Sequence, residues 1–115
     1  MKRDFISLLR LCKSNGIKVV FLGNKVLHDY AGMNPEAAKL MDFTRIMEER
    51  KNQIELDKNQ DQETQYRNLK HELNEWYRML KGWKYGPAHL DSLKAETKKL
   101  PDGIVKYIGK YLKNR

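Results

Sequence analysis

A single cysteine, Cys12, and only three prolines stand in a chain of 115 residues. One thiol excludes an internal disulfide framework and a zinc site built on cysteines, and it suits a cytoplasmic setting. Long hydrophobic runs are missing too. The longest, residues 19–22, is strand-sized and far short of the roughly 20 residues that a membrane helix needs. The start, Met1-Lys2-Arg3-Asp4-Phe5, is basic. The apolar stretch after it is broken at Arg10 and Lys13 and carries no small-residue cleavage site, so neither a signal peptide nor a membrane partner is expected. No glycine pattern that cradles phosphate occurs: the seven glycines are scattered and Gly-Lys-Ser/Thr is absent. A serine nucleophile elbow is lacking as well, which argues against most hydrolases. The histidines His28, His71 and His89 are isolated in sequence, and no metal-binding pair is read among them. No cofactor is identifiable.

What the chain has instead is charge of one sign in one half. The formal net charge is +8. Residues 1–65 carry 11 Lys/Arg against 10 Asp/Glu, whereas residues 66–115 carry 12 against 5, so nearly all the excess lies in the C-terminal half. The final ten residues hold Lys106, Lys110, Lys113 and Arg115 and no acid. Such a region attracts polyanions, of which nucleic acid is the commonest; the plain alternative is a solvated, solubilising face. A mean hydropathy of -0.81 is polar for a globular domain, but two Trp, six Tyr and three Phe supply enough large side chains for one modest core.

The hydrophobic pattern predicts a small single α+β domain over residues 1–115, with four main helices and a short sheet of about two strands. Phe5, Leu8, Leu9 and Cys12 recur at helical spacing, so a first helix is expected from an N-cap at Asp4 to Lys13. Ser14-Asn15-Gly16 ends it, because Asn and Gly accept positive φ. Residues 17–22 are rich in β-branched and aromatic side chains and read as a strand. Residues 26–32 are ambiguous. Asn34-Pro35-Glu36 starts a second helix, expected to continue to about Asp57. From Asp61 to Lys81 the pattern is strongest, with Tyr66, Leu69, Leu73, Trp76, Tyr77 and Leu80 on one stripe. That stripe suits a core face first and a partner or homo-oligomer face second. Gly82 ends the helix, residues 83–87 form an aromatic turn, and residues 88–93 read as a short strand. A last helix over residues 104–114 places Ile104, Ile108, Tyr111 and Leu112 on one face and Lys106, Lys110 and Lys113 on others.

On that last helix Tyr107 and Lys110 stand at i, i+3 and are surface neighbours. A lysine ammonium beside a phenol favours phenolate and can hold a phosphate, which is what a tyrosine needs to attack a phosphodiester. Glu75-Trp76-Tyr77, then Gly82-Trp83-Lys84-Tyr85-Gly86, then Tyr107-Ile108-Gly109-Lys110-Tyr111 follow one another in the chain. This order over residues 70–115 resembles the C-terminal part of the rolling-circle replication initiators (Rep proteins) of plasmids and filamentous phages.

The resemblance implies a nucleophilic role for Tyr107, a positioning cation at Lys110, and a secondary tyrosine at Tyr111. It also implies single- or double-stranded DNA, or RNA, as the partner. Binding would use Lys84, Lys98, Lys99, Lys106, Lys110, Lys113 and Arg115, with Trp83 and Tyr85 stacking on bases. The family's two metal-binding histidines flanking one hydrophobic residue are not present in this chain. The expectation is therefore a degenerate or truncated relative that binds nucleic acid with little or no nicking, where Mg²⁺ or Mn²⁺ would matter only if nicking survived. The alternative function is a small helical interaction module, such as a phage- or plasmid-encoded inhibitor or adaptor.

Overall fold

Helix α1 spans Lys2–Ser14 and buries the stripe Phe5, Leu8 and Cys12. The structure, a computed structural model, describes residues 2–22 and 53–114. Because α1 starts two residues earlier than its spacing suggested, Asp4 lies in its first turn, where a carboxylate complements the helix dipole, and does not cap it. Its end follows the sequence closely. Gly16 takes φ +78°, its N–H donates to Lys13 O (3.2 Å), and Ile17 N–H donates to Cys12 O (2.9 Å). This paired closure satisfies carbonyls that the helix end leaves open.

Strand β1, Lys18–Leu22, pairs in parallel with β2, Gln53–Asp57, setting Val19 opposite Ile54 and Phe21 opposite Leu56. The strand β2 corrects the expectation of a helix running to Asp57. Gln53-Ile54-Glu55-Leu56-Asp57 alternates, with Ile54 and Leu56 buried, and that period of two serves a sheet face. The ambiguous residues 26–32, the Asn34-Pro35-Glu36 helix start and the 37–52 part of the second helix lie outside the described residues.

Helix α2, Gln62–Leu80, is the longest described element. Asp61 caps it by accepting from Thr64 N–H at 2.7 Å, and the ion pair of Glu63 with Arg67 (2.8 Å) spans its first turns. At its far end Gly82 adopts φ +97°, with Gly82 N–H donating to Met79 O and Trp83 N–H to Arg78 O, both at 3.0 Å. Leu69, Leu73 and Trp76 are buried against Phe5, Leu8, Ile54, Leu56 and the last helix. A buried Leu of this kind contributes about 1.5–3 kcal/mol. The α2 stripe is thus the centre of the core, with Tyr66, Tyr77 and Leu80 partly buried along its edge.

Helix α3, Tyr85–Ala95, replaces the short strand expected at residues 88–93. The segment has no Val, Ile or Thr to favour a strand, and Pro87 sits in the first turn, where its missing N–H costs nothing. Helix α4, Asp102–Lys113, follows Pro101, with Asp102 at its positive end. It buries Ile104, Val105 and Ile108 together with Leu100. The described residues therefore form a small α+β fold of four helices and a two-stranded parallel sheet. Among them no helix is long and apolar enough to cross a membrane.

Candidate functional site

Gly109 fixes how the basic end of the chain meets the rest. A Cβ at this position would lie 2.7 Å from both Cβ and the backbone O of Asn15, so only glycine lets α4 pack this closely on the α1 turn. Asn15 is itself held there, its Nδ2 donating to Leu11 O at 2.8 Å. Beside this contact lies an open groove of about 530 Å³, lined by residues 14–16 and by Lys106, Gly109, Lys110, Leu112 and Lys113. Among the described residues no acidic side chain lines it, and all three lysines are exposed. Two helix C-termini, each worth roughly half a negative charge, lie near the groove. Three full ammonium charges outweigh them. The groove is a net cationic surface.

The other residues singled out by sequence are placed elsewhere. The Tyr107 ring packs edge-on against Tyr77 (centroids 5.3 Å apart, 88° between planes) with Lys81 Nζ 4.7 Å above it. It joins α4 to α2 and does not line the groove, although Lys110 does. Tyr111 is partly buried. Trp83 is 40% exposed with the Arg78 guanidinium 4.7 Å over its ring, while Tyr85 is stacked on His89 at 5.5 Å. Lys84, Lys98 and Lys99 are exposed, and the Lys98 carbonyl accepts from Lys70 Nζ at 2.9 Å. Arg115 lies outside the described residues. The expected nucleic-acid set is therefore split, and among its described residues Lys106, Lys110 and Lys113 share one groove.

A second constellation joins α2 to α3. The two helices form a hairpin in which residue numbers run oppositely, so that His71 meets Glu96 and Glu75 meets His89. Their interface is polar. Asn74 Nδ2 donates to Asp91 Oδ2 (2.8 Å) and to Ser92 Oγ (3.0 Å), and Arg78 Nε donates to the same Asp91 oxygen (3.1 Å). At its centre His71 Nε2, Glu75 Oε2 and His89 Nδ1 form a triangle with sides of 2.9, 3.1 and 3.2 Å. His71 Nδ1 lies 2.7 Å from Glu96 Oε2. Glu75 is 2% exposed.

The electrostatics of this cluster are strongly negative. Burial pushes His71 toward its neutral form, but the hydrogen bond to Glu75, the charges of Glu72 and Glu75 and the bond to Glu96 outweigh it, raising its pKa to about 9. The Tyr85 hydroxyl is pushed up to about 12, first by burial and then by Glu75 and Glu72. A cluster of this composition can hold a proton or a metal ion.

Sequence reasoning did not single out His71, Glu75 and His89 as a set. One half carried a signal, since His71 and Glu75 stand at i, i+4 on a helix. The other half, His89, lies 18 residues from His71 and arrives only because residues 85–95 are a helix folded back on α2. No protein-family model, curated protein or solved structure matches the chain.

Proposed function

We propose that the protein binds nucleic acid through the lysine groove between the α1 turn and α4. The observation that carries this reading is the convergence of Lys106, Lys110 and Lys113 on one open groove that no acidic side chain among the described residues lines. Phosphates are spaced along a backbone and reward several cations on one surface far more than a lone anion does. The likeness of residues 70–115 to Rep initiators supports the same class of partner. In this reading Tyr107 serves the packing of α4 on α2, Trp83 is the more accessible stacking residue, and nicking is not part of the activity. A helical interaction module built on the α2 stripe is the weaker reading, because Leu69, Leu73 and Trp76 pack into the chain's own core.

Fluorescence anisotropy with single-stranded DNA, duplex DNA and single-stranded RNA at several salt concentrations tests the proposal. Three phosphate contacts should give a slope of log K against log salt of roughly -2 to -3. Replacing Lys106, Lys110 and Lys113 together by Ala should remove most of that slope, whereas Lys84→Ala, outside the groove, should leave most of it. Binding that ignores salt, or a triple variant as tight as wild type, would sink the reading.

A further inference from the structure

We infer that His71, Glu75 and His89 form a binding site for a divalent first-row transition-metal ion, with Glu96 as the positioning residue that orients His71. The site shares no residue with the lysine groove and stands independently of the nucleic-acid reading.

The triangle of ligand atoms has the dimensions of a coordination shell. Its three atoms lie 2.9, 3.1 and 3.2 Å apart. Ligand atoms about 2.1 Å from a common ion are about 3.0 Å apart on an octahedral face and about 3.4 Å apart in a tetrahedron. The observed sides fit the octahedral face, with an ion roughly 1 Å out of the ligand plane. Two imidazole nitrogens and one carboxylate on one face are the facial arrangement that leaves further positions open for water or substrate. His89 is the exposed corner, at 39% of its side chain; His71 and Glu75 are the buried ones, at 11% and 3%.

Hydrogen bonding alone accounts for the triangle less well. Both nitrogens can donate to Glu75 Oε2, but no proton is then left along the 3.2 Å edge between His71 Nε2 and His89 Nδ1, and two N–H dipoles lie side by side. A cation capping the triangle serves all three atoms at once. The surroundings favour it further. Glu96 Oε2, 2.7 Å from His71 Nδ1, accepts the proton on that side, so that an ion displacing the Nε2 proton to solvent meets a lone pair directed into the triangle. This is the carboxylate–histidine relay that fixes metal-binding imidazoles. Two imidazole ligands select Zn²⁺, Co²⁺, Ni²⁺ or Fe²⁺ over Mg²⁺ and Ca²⁺, which prefer oxygen.

Full-length, tag-free protein stripped with chelator and titrated with Co²⁺ and Zn²⁺ tests the inference. Co²⁺ should produce visible d–d absorption saturating at one ion per chain. Zn²⁺ should raise the thermal midpoint, and Mg²⁺ at equal concentration should not. His89→Ala removes a partly exposed ligand, and circular dichroism should show it folded. It should lose at least tenfold in affinity for both ions. Glu96→Gln should lose about 10–100-fold while keeping the Co²⁺ stoichiometry. Arg67→Ala, on the exposed side of α2 and paired with Glu63, should bind as wild type does. The absence of both the Co²⁺ band and the Zn²⁺ shift in wild type would overturn the inference. So would a folded His89→Ala variant with undiminished affinity, or loss of binding in Arg67→Ala.

Discussion

Alanine at position 109 tests the packing that positions the lysine groove, and a second glycine in the same helix supplies the control. Gly103 and Gly109 both lie in α4, yet a Cβ at 103 meets nothing within 4 Å while one at 109 meets Asn15 Cβ and O at 2.7 Å. Replacing helical Gly by Ala gains about 0.5–1 kcal/mol through reduced backbone freedom. Gly103→Ala should therefore stabilise the protein by up to about 1 kcal/mol. At 109 the same gain is opposed by overpacking, typically about 1–3 kcal/mol, and the close atoms include a backbone carbonyl that cannot rotate away. The propensity gain largely cancels between the two variants, so their difference isolates the clash at about 1–3 kcal/mol. At about 4 °C per kcal/mol for a domain of this size, thermal unfolding followed by circular dichroism should separate their midpoints by roughly 4–12 °C. Urea titration should give the same ordering. Equal midpoints for the two variants would show that α4 does not lie against Asn15 and that the groove is not built as described.

Two further predictions address the cap of α2 and the lone thiol. Hydrogen bonds from Thr64 hold the Asp61 carboxyl below its ordinary value of 3.8, so its stabilising effect is complete above that value and is lost as pH falls through the lower folded-state value. Asp61→Ala should therefore melt below wild type at neutral pH, and the gap should close as the solution is acidified well below pH 3.8; a gap independent of pH would refute the cap. Cys12 is fully buried and its thiol is pushed up to about 12 by burial, so at pH 8 a thiol reagent should modify it only through unfolding, at a rate that climbs with urea. Immediate stoichiometric labelling of the native protein would contradict the burial.

Local chemistry made part of this fold readable from sequence. Gly16 and Gly82 end α1 and α2 where their positions suggested, because a left-handed terminal residue is a property of a few adjacent residues. The Leu69-Leu73-Trp76 stripe was visible for the same reason: nineteen helical residues repeat one signal many times. Strand β2 was obscured because Ile54 lies seven residues after Met47 and extends a helical spacing as well as it alternates with Leu56. Five residues are too few to decide between the periods, and the partner strand decides instead. Helix α3 misled differently. Its buried residues are only Ala88 and Ser92, so the hydrophobic pattern reported a surface that is not the packed one. The histidine–glutamate cluster was hidden behind that same error, since its ligand atoms meet only once α3 is a helix turned against α2.

The polar fastening of α3 has a consequence for how the molecule opens. Leu90 and Leu93 are 64% and 48% exposed, so closing α3 onto α2 removes little apolar surface from water. What holds it is the set of bonds from His71, Asn74, Glu75 and Arg78, which water can replace in kind. The α1, β2, α2 and α4 residues share a single apolar cluster and should unfold as one. Helix α3 should therefore open as a unit separate from that core. Protonation and ionic conditions should shift this opening more than they shift unfolding of the core. The α3 amides would exchange with solvent while those of α2 remain protected.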